Sequence, residues 1–144
     1  MNTQELDKKY ILQTYGRVDV EFVTASNATL TDTNGKKYID FTSGIGVVSV
    51  GHANARVNAA LTKQLSNITH ISNLYYMAAQ SNAAQKVVEA SGYDMACFFG
   101  NSGAEAIEAA IKFAVLTTGK HEFISAKMGY HGKTTGALGL TNTL

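Results

Sequence analysis

Residues 98–106 read Phe-Phe-Gly-Asn-Ser-Gly-Ala-Glu-Ala. An apolar stretch ends in a glycine-containing turn, and a helical pattern begins at once. The first amides of a helix have no acceptor within the helix, and its dipole leaves partial positive charge there. Ser102, Gly103 and Ala104 are small enough to let an anion approach those amides closely. The chemistry such a site offers is phosphate binding. An ordinary helix start with Asn101 or Ser102 as N-cap explains the same residues, and on pattern alone it is the commoner reading.

A second dense stretch is Gly129-Tyr130-His131-Gly132-Lys133-Thr134-Thr135-Gly136. It mixes a phenol ring, an imidazole and an ammonium among glycines, and it comes after a strand-like run. Loops at the carboxyl ends of α/β strands are where ligands bind. Tyr130 has the ring to stack on a flat ligand, and Lys133 the charge to pair with a carboxylate or phosphate. A surface turn carrying a solvated lysine is the plain alternative.

Other motifs fail on their spacing. Gly44-Ile45-Gly46 begins like a dinucleotide fingerprint, but Ser49 stands where the third glycine belongs. Gly132-Lys133-Thr134 ends like a Walker A loop, but Lys127 occupies the position of its first glycine. Gly100-Asn101-Ser102-Gly103 is not a nucleophile elbow. His52, His70, His121 and His131 show no metal-ligand spacing, so no metal is expected. Cys97 lies in an apolar run and reads as buried packing.

Periodicity indicates the elements that must hold these residues. Residues 1–19 read as a short helix or an arm. Residues 20–41 read as extended, with Asn34-Gly35 between two runs as a type I′ hairpin turn, so a small antiparallel meander is expected. Val57, Ala60, Leu61, Leu65 and Ile68 recur at helical spacing. A second helix fits residues 77–90, stopped by Gly92, and a third fits 103–117, stopped by Gly119. In the third helix Glu108 and Lys112 form an i,i+4 pair. Residues 95–99 and 123–126 read as short buried strands, and 135–140 as a weaker third, diluted by Gly136 and Gly139. Strands alternating with helices argue for an α/β sheet.

The chain has 144 residues, about one domain on length. It is 45% hydrophobic and 16% charged, enough for a core and too little charge for disorder. A net charge of +1, with Arg17 and Arg56 the only arginines, gives no case for nucleic acid or a polybasic membrane contact. No apolar run reaches the roughly 18 residues of a membrane span, and the polar N-terminus does not read as a signal peptide. A single cysteine points to a reducing compartment, the cytoplasm. The two glycosylation-like triplets at Asn27 and Asn67 then read as chance. Proline is absent, which removes one kind of boundary marker.

Taken in order, residues 40–46 (Asp-Phe-Thr-Ser-Gly-Ile-Gly), Gly51-His52, residues 72–76 (Ser-Asn-Leu-Tyr-Tyr), residues 98–113 and residues 130–134 resemble the N-terminal part of class III aminotransferases, which use pyridoxal 5′-phosphate (PLP). The resemblance covers essentially the whole chain. It implies an α/β protein of fold type I: an N-terminal meander and then the start of a large, mainly parallel domain. Residues 1–50 would belong to a small domain and 51–144 to the large PLP-binding one. It also implies that Ser102, Gly103 and Ala104 hold the cofactor phosphate. Tyr130 would lie against the pyridine ring with His131 beside it, and Lys133 would meet a substrate carboxylate. Ala104 stands where the family commonly has threonine, and Tyr130 where it commonly has phenylalanine.

Lys133 stands where the family usually has arginine. Lysine keeps the charge and loses the planar two-pronged donor. Ile45 stands where the ornithine branch is expected to carry tyrosine, which favours the branch acting on N-acetylornithine. The implied reaction moves its δ-amino group to 2-oxoglutarate, in arginine biosynthesis, on a homodimer. A 4-aminobutyrate or ornithine type of specificity is the alternative, and a non-catalytic phosphate-binding module is another. The family's cofactor-carrying lysine and the acid that pairs with the pyridine nitrogen come later in its chains, and none of the ten lysines here matches that position. The sequence therefore reads as cut short and inactive by itself, with unpaired strand edges that favour self-association.

Overall fold

The structure, a computed structural model, describes residues 1–142. The chain divides into two compact units, Met1–Ser72 and Asn73–Leu144.

The first unit opens with helix α1, Thr3–Tyr10. Asn2 accepts from the N–H of Glu5 at 2.8 Å, and Glu5 accepts in return from the N–H of Asn2 at 3.0 Å. Two otherwise orphaned donors are thereby satisfied. Strands β1 (Phe22–Ser26), β2 (Thr29–Asp32) and β3 (Lys37–Ile39) form an antiparallel meander in the order β1-β2-β3, as expected. Ala25 pairs with Leu30, and Leu30 with Tyr38. Phe22 meets Tyr38 edge-to-face, with centroids 5.3 Å apart. Helix α2, Ala55–Leu65, starts from Asn54, whose side chain accepts from the amides of Arg56 and Val57.

The turn between β2 and β3 differs from the expected type I′. Gly35 has φ +80°, but Asn34 has no positive φ. The cause is Asp32, only 6% exposed. Its Oδ1 accepts from the amides of Asn34 and Lys36, each at 2.9 Å. Its carbonyl accepts from Gly35 N–H at 3.0 Å. That closes a type I turn and leaves the left-handed position to Gly35, the three-residue hairpin loop. The phenol of Tyr38 donates to the second oxygen of Asp32 at 3.0 Å.

The second unit holds helices α3 (Ala78–Ser91), α4 (Gly103–Thr118) and α5 (Thr135–Leu140). Gly92 and Gly119 end α3 and α4 in the left-handed conformation, at φ +71° and +68°. A side chain there would bring the strain of the left-handed conformation, which glycine avoids. Phe98 packs edge-to-face on Phe113 of α4, with centroids 5.9 Å apart.

Three strand expectations fail in this unit. Among the described residues, β1-β2-β3 is the one sheet, and residues 95–99 and 123–126 carry no strand pairing. A strand exists only through a neighbour that takes its hydrogen bonds, and the described residues supply none. Residues 135–140 form a helix, because a carboxylate on α4 supplies acceptors at its N-terminus. The expected Glu108–Lys112 pair is likewise absent among the described residues; Glu108 serves α5 instead.

Ala137 is the one hydrophobic residue among those described that is fully enclosed, at 0% exposure. Phe41, Ile45, Tyr76, Leu74 and Ile124 all stand largely in solvent. Among the described residues no helix is long and apolar enough to cross a membrane.

Candidate functional site

The N-terminus of α4 is built by its own first residues. Ser102, extended at φ −152° and ψ 162°, is the N-cap, and its Oγ accepts from Glu105 N–H at 3.2 Å. The Glu105 carboxylate turns back to accept from the amide of Asn101. These two side chains satisfy the amides of Glu105 and Asn101. The N–H groups of Gly103 and Ala104 lie in the first turn, where no carbonyl of the helix can reach them. Gly103 is open to solvent, and no atom lies within 4 Å of where its Cβ would be.

The second dense stretch is brought to this helix end. A Cβ on Gly132, which has φ +129°, would lie 2.7 Å from the Cβ of Ala104 and 3.2 Å from that of Ala137. The backbone at Gly132 therefore rests directly on the second residue of α4. His131 and Lys133 flank Gly132 in the chain, and Tyr130 precedes His131. His131 is half-buried, while Tyr130 and Lys133 are exposed.

The loop is pinned at both ends. Thr141 Oγ1 accepts from His131 N–H at 3.0 Å. The same hydroxyl lies within donating reach of the carbonyls of Gly132 (3.1 Å) and Ala137 (2.9 Å). Asn142 N–H donates to the carbonyl of Gly129 at 2.9 Å. On the other side Glu108 Oε1 accepts from Gly136 N–H at 2.8 Å and Ala137 N–H at 3.3 Å. The hydroxyl of Thr134 and these two amides hold the Glu108 carboxyl below the usual glutamate range, against a smaller opposing effect of burial.

A separate cluster lies in the first unit. Residues 43–46 all have positive φ, from +49° at Ser43 to +84° at Gly46. Asp40 anchors this left-handed turn. Its Oδ1 accepts from the amides of Thr42 (3.0 Å) and Ser43 (2.9 Å) and from the Thr42 hydroxyl (3.0 Å). Its Oδ2 meets His52 Nε2 at 2.7 Å. His52 first, then the Ser43 amide, bring the Asp40 carboxyl down to about 2. His52 is also tied by its backbone to Asn27.

Six residues stand out in the sequence. Ser102, Gly103 and Ala104 form one helix end, and Tyr130, His131 and Lys133 sit on the loop that Gly132 seats against it. Sequence reasoning assigns no site role to Glu108, Thr141 or Asp40. Gly136 is the available signal for Glu108: a Cβ there would collide with its carboxylate. Cys97, expected to be buried, is half-buried, with Sγ 3.8 Å from the carbonyl of Ala84.

Comparison with known proteins gives these residues a context. The family described as Aminotransferase class-III matches residues 11–143. The acetylornithine aminotransferase of Wolinella succinogenes is 48% identical, over 96% of this chain and 37% of its own length. The crystal structure of an S-selective transaminase from Arthrobacter sp. with alanine bound superposes with a TM-score of 0.88 at 26% identity, covering 99% of this chain and 33% of that one. The taurine:2-oxoglutarate aminotransferase of Bifidobacterium kashiwanohense, in complex with PLP and glutamate, gives 0.85 at 27% identity, covering 95% of this chain and 32% of that one. The chain thus spans about a third of the length of these proteins.

Proposed function

This chain belongs to the class III aminotransferases, with the N-terminal architecture of fold type I, and we propose that its α4 N-terminus and 130–133 loop hold PLP in a transaminase that uses N-acetylornithine. The family implies the cofactor. The observation that supports this reading is the seat of Gly132 on Ala104, which brings the backbone of the loop carrying Tyr130 and Lys133 to the first turn of α4.

The residues fit the cofactor. A phosphate dianion suits first-turn amides at the positive end of a sixteen-residue helix. Gly103 and Ala104 donate to it, and the extended Ser102 sets their direction. Neither carries a side chain that would block the approach. Tyr130 faces the pyridine ring, with His131 alongside. Lys133 receives the carboxylate of the amino-acid or 2-oxo-acid substrate as a point charge. PLP when bound supplies the electron sink for moving an amino group; the residues here bind and orient.

On this reading residues 1–50 contribute to a small domain and 51–144 to the large one, in a cytoplasmic homodimer. The δ-amino group of N-acetylornithine passes to 2-oxoglutarate. Identity of 48% to an acetylornithine aminotransferase supports that donor over ornithine or 4-aminobutyrate.

A chimaera tests the proposal. The 144 residues are joined to the part of the Wolinella succinogenes enzyme that lies beyond the match. Turnover should be highest with N-acetylornithine and 2-oxoglutarate, and the 144 residues alone should give none. A chimaera that binds PLP but prefers ornithine or 4-aminobutyrate overturns the substrate assignment. Turnover by the 144 residues alone overturns the assignment of the chemistry to residues outside them.

A further inference from the structure

We infer that Glu108 is a positioning residue, a carboxylate on α4 that fixes the 130–137 segment at its working distance from the amides of Gly103 and Ala104. The inference rests on the coenzyme reading above and adds the residue that holds its two halves together.

The geometry is specific. Glu108 sits one turn beyond Ala104 on α4, on the side where Gly132 makes contact. Thr134 is the N-cap of α5, but its side chain accepts no capping hydrogen bond. The amides of Gly136 and Ala137, which a local cap would serve, donate to Glu108 Oε1 instead. The Thr134 hydroxyl donates to the same carboxylate. A side chain twenty-eight residues away thus does the work of an N-cap. Gly136 leaves the room: a Cβ there would lie 2.4 Å from Glu108 Oε2.

The consequence concerns the site. Residues 129–132 reach α4 through the contact of Gly132 with Ala104, and they reach α5 through Thr141. Glu108 closes the third side by holding α5 to α4. Without it, the segment keeps Thr141 but loses the hydrogen bonds that Gly136 and Ala137 make to α4. Tyr130 and His131 would then drift from the phosphate-binding amides. Glu108 donates nothing to a ligand and is not a catalytic residue.

The test compares Glu108→Ala and Glu108→Gln with the parent sequence in the chimaera described above, which carries the rest of the enzyme. Two readouts are used: amide hydrogen exchange, and binding of pyridoxamine 5′-phosphate, which needs no lysine linkage. In Glu108→Ala, exchange at Gly136, Ala137 and His131 should speed up at least tenfold while Ala114 and Val115 late in α4 stay protected. The dissociation constant should rise about tenfold. Glu108→Gln keeps one acceptor oxygen and should recover part of both effects. If Glu108→Ala unfolds, Glu108→Gln alone carries the comparison. Parent-like affinity and parent-like exchange at Gly136 and Ala137 in the variants overturn the inference and leave the coenzyme reading standing. Loss of α4 protection in step with that of α5, with no recovery in Glu108→Gln, also overturns it. A parent chimaera that binds no pyridoxamine 5′-phosphate at any pH overturns the coenzyme reading itself.

Discussion

Gly132 lies so close to Ala104 that a methyl group on it would sit 2.7 Å from the Ala104 Cβ. This contact joins the two halves of the candidate site. Gly132→Ala should therefore damage both stability and site. Overpacking costs about 1–3 kcal/mol, and φ +129° adds backbone strain of about the same size. The midpoint of urea unfolding of the second unit should fall accordingly. Gly139→Ala, where no atom lies within 4 Å, is the control and should leave the midpoint nearly unchanged.

Asp40 should make the first unit acid-sensitive in a definite window. Its carboxyl falls from the ordinary 3.8 to about 2. A group depressed by folding adds stability above its unfolded value and loses it as pH falls through its folded value. The contribution should be intact above about pH 4 and gone near pH 2. Exchange at the Thr42 and Ser43 amides, tracked by NMR between pH 5 and 2, reads it directly. Asp40→Asn keeps an acceptor oxygen but does not titrate, so its exchange should show no step in that window.

The sequence and the structure agree where structure is local. Gly92 and Gly119 end their helices because each must turn left-handed there, and that need is visible in the residue type. The start of α4 is legible for the same reason: the Ser102 hydroxyl caps an amide only three residues along the chain. Asn34-Gly35 announces a turn, but its type is decided by Asp32, through hydrogen bonds that composition does not reveal. The 135–140 segment reads as a strand for a related reason. Its helix is started by Glu108, far away in sequence, and no short window contains both. Residues 95–99 and 123–126 have the composition of buried strands, yet pairing partners, not composition, make a strand.

The exposed apolar side chains predict association. Phe41, Ile45, Tyr76 and Ile124 are each more than nine-tenths exposed, and monomers rarely leave large apolar patches open. The 144-residue chain should sediment as a concentration-dependent mixture of species. Raising ionic strength should not disperse it, since the driving force is apolar. A monodisperse monomer that unfolds cooperatively would contradict this expectation.

The amide of Gly103 offers the sharpest test of the phosphate assignment, because it can be deleted with little disturbance. Proline is favoured at the first position of a helix, where its missing N–H has no partner in any case. It also demands an extended residue before it, and Ser102 is already at φ −152° and ψ 162°. Apart from its chain neighbours and the backbone of its own helix, nothing lies within 4 Å of where a Cβ on Gly103 would be. Gly103→Pro should therefore leave the helix content of α4 unchanged by circular dichroism. It removes one donor to a dianion, a bond worth about 1.5–3 kcal/mol, so in the chimaera pyridoxamine 5′-phosphate should bind roughly ten- to a hundredfold more weakly. Pyridoxamine lacking the phosphate should bind the two chains equally. If the phosphorylated and unphosphorylated ligands lose affinity alike, the phosphate is held elsewhere.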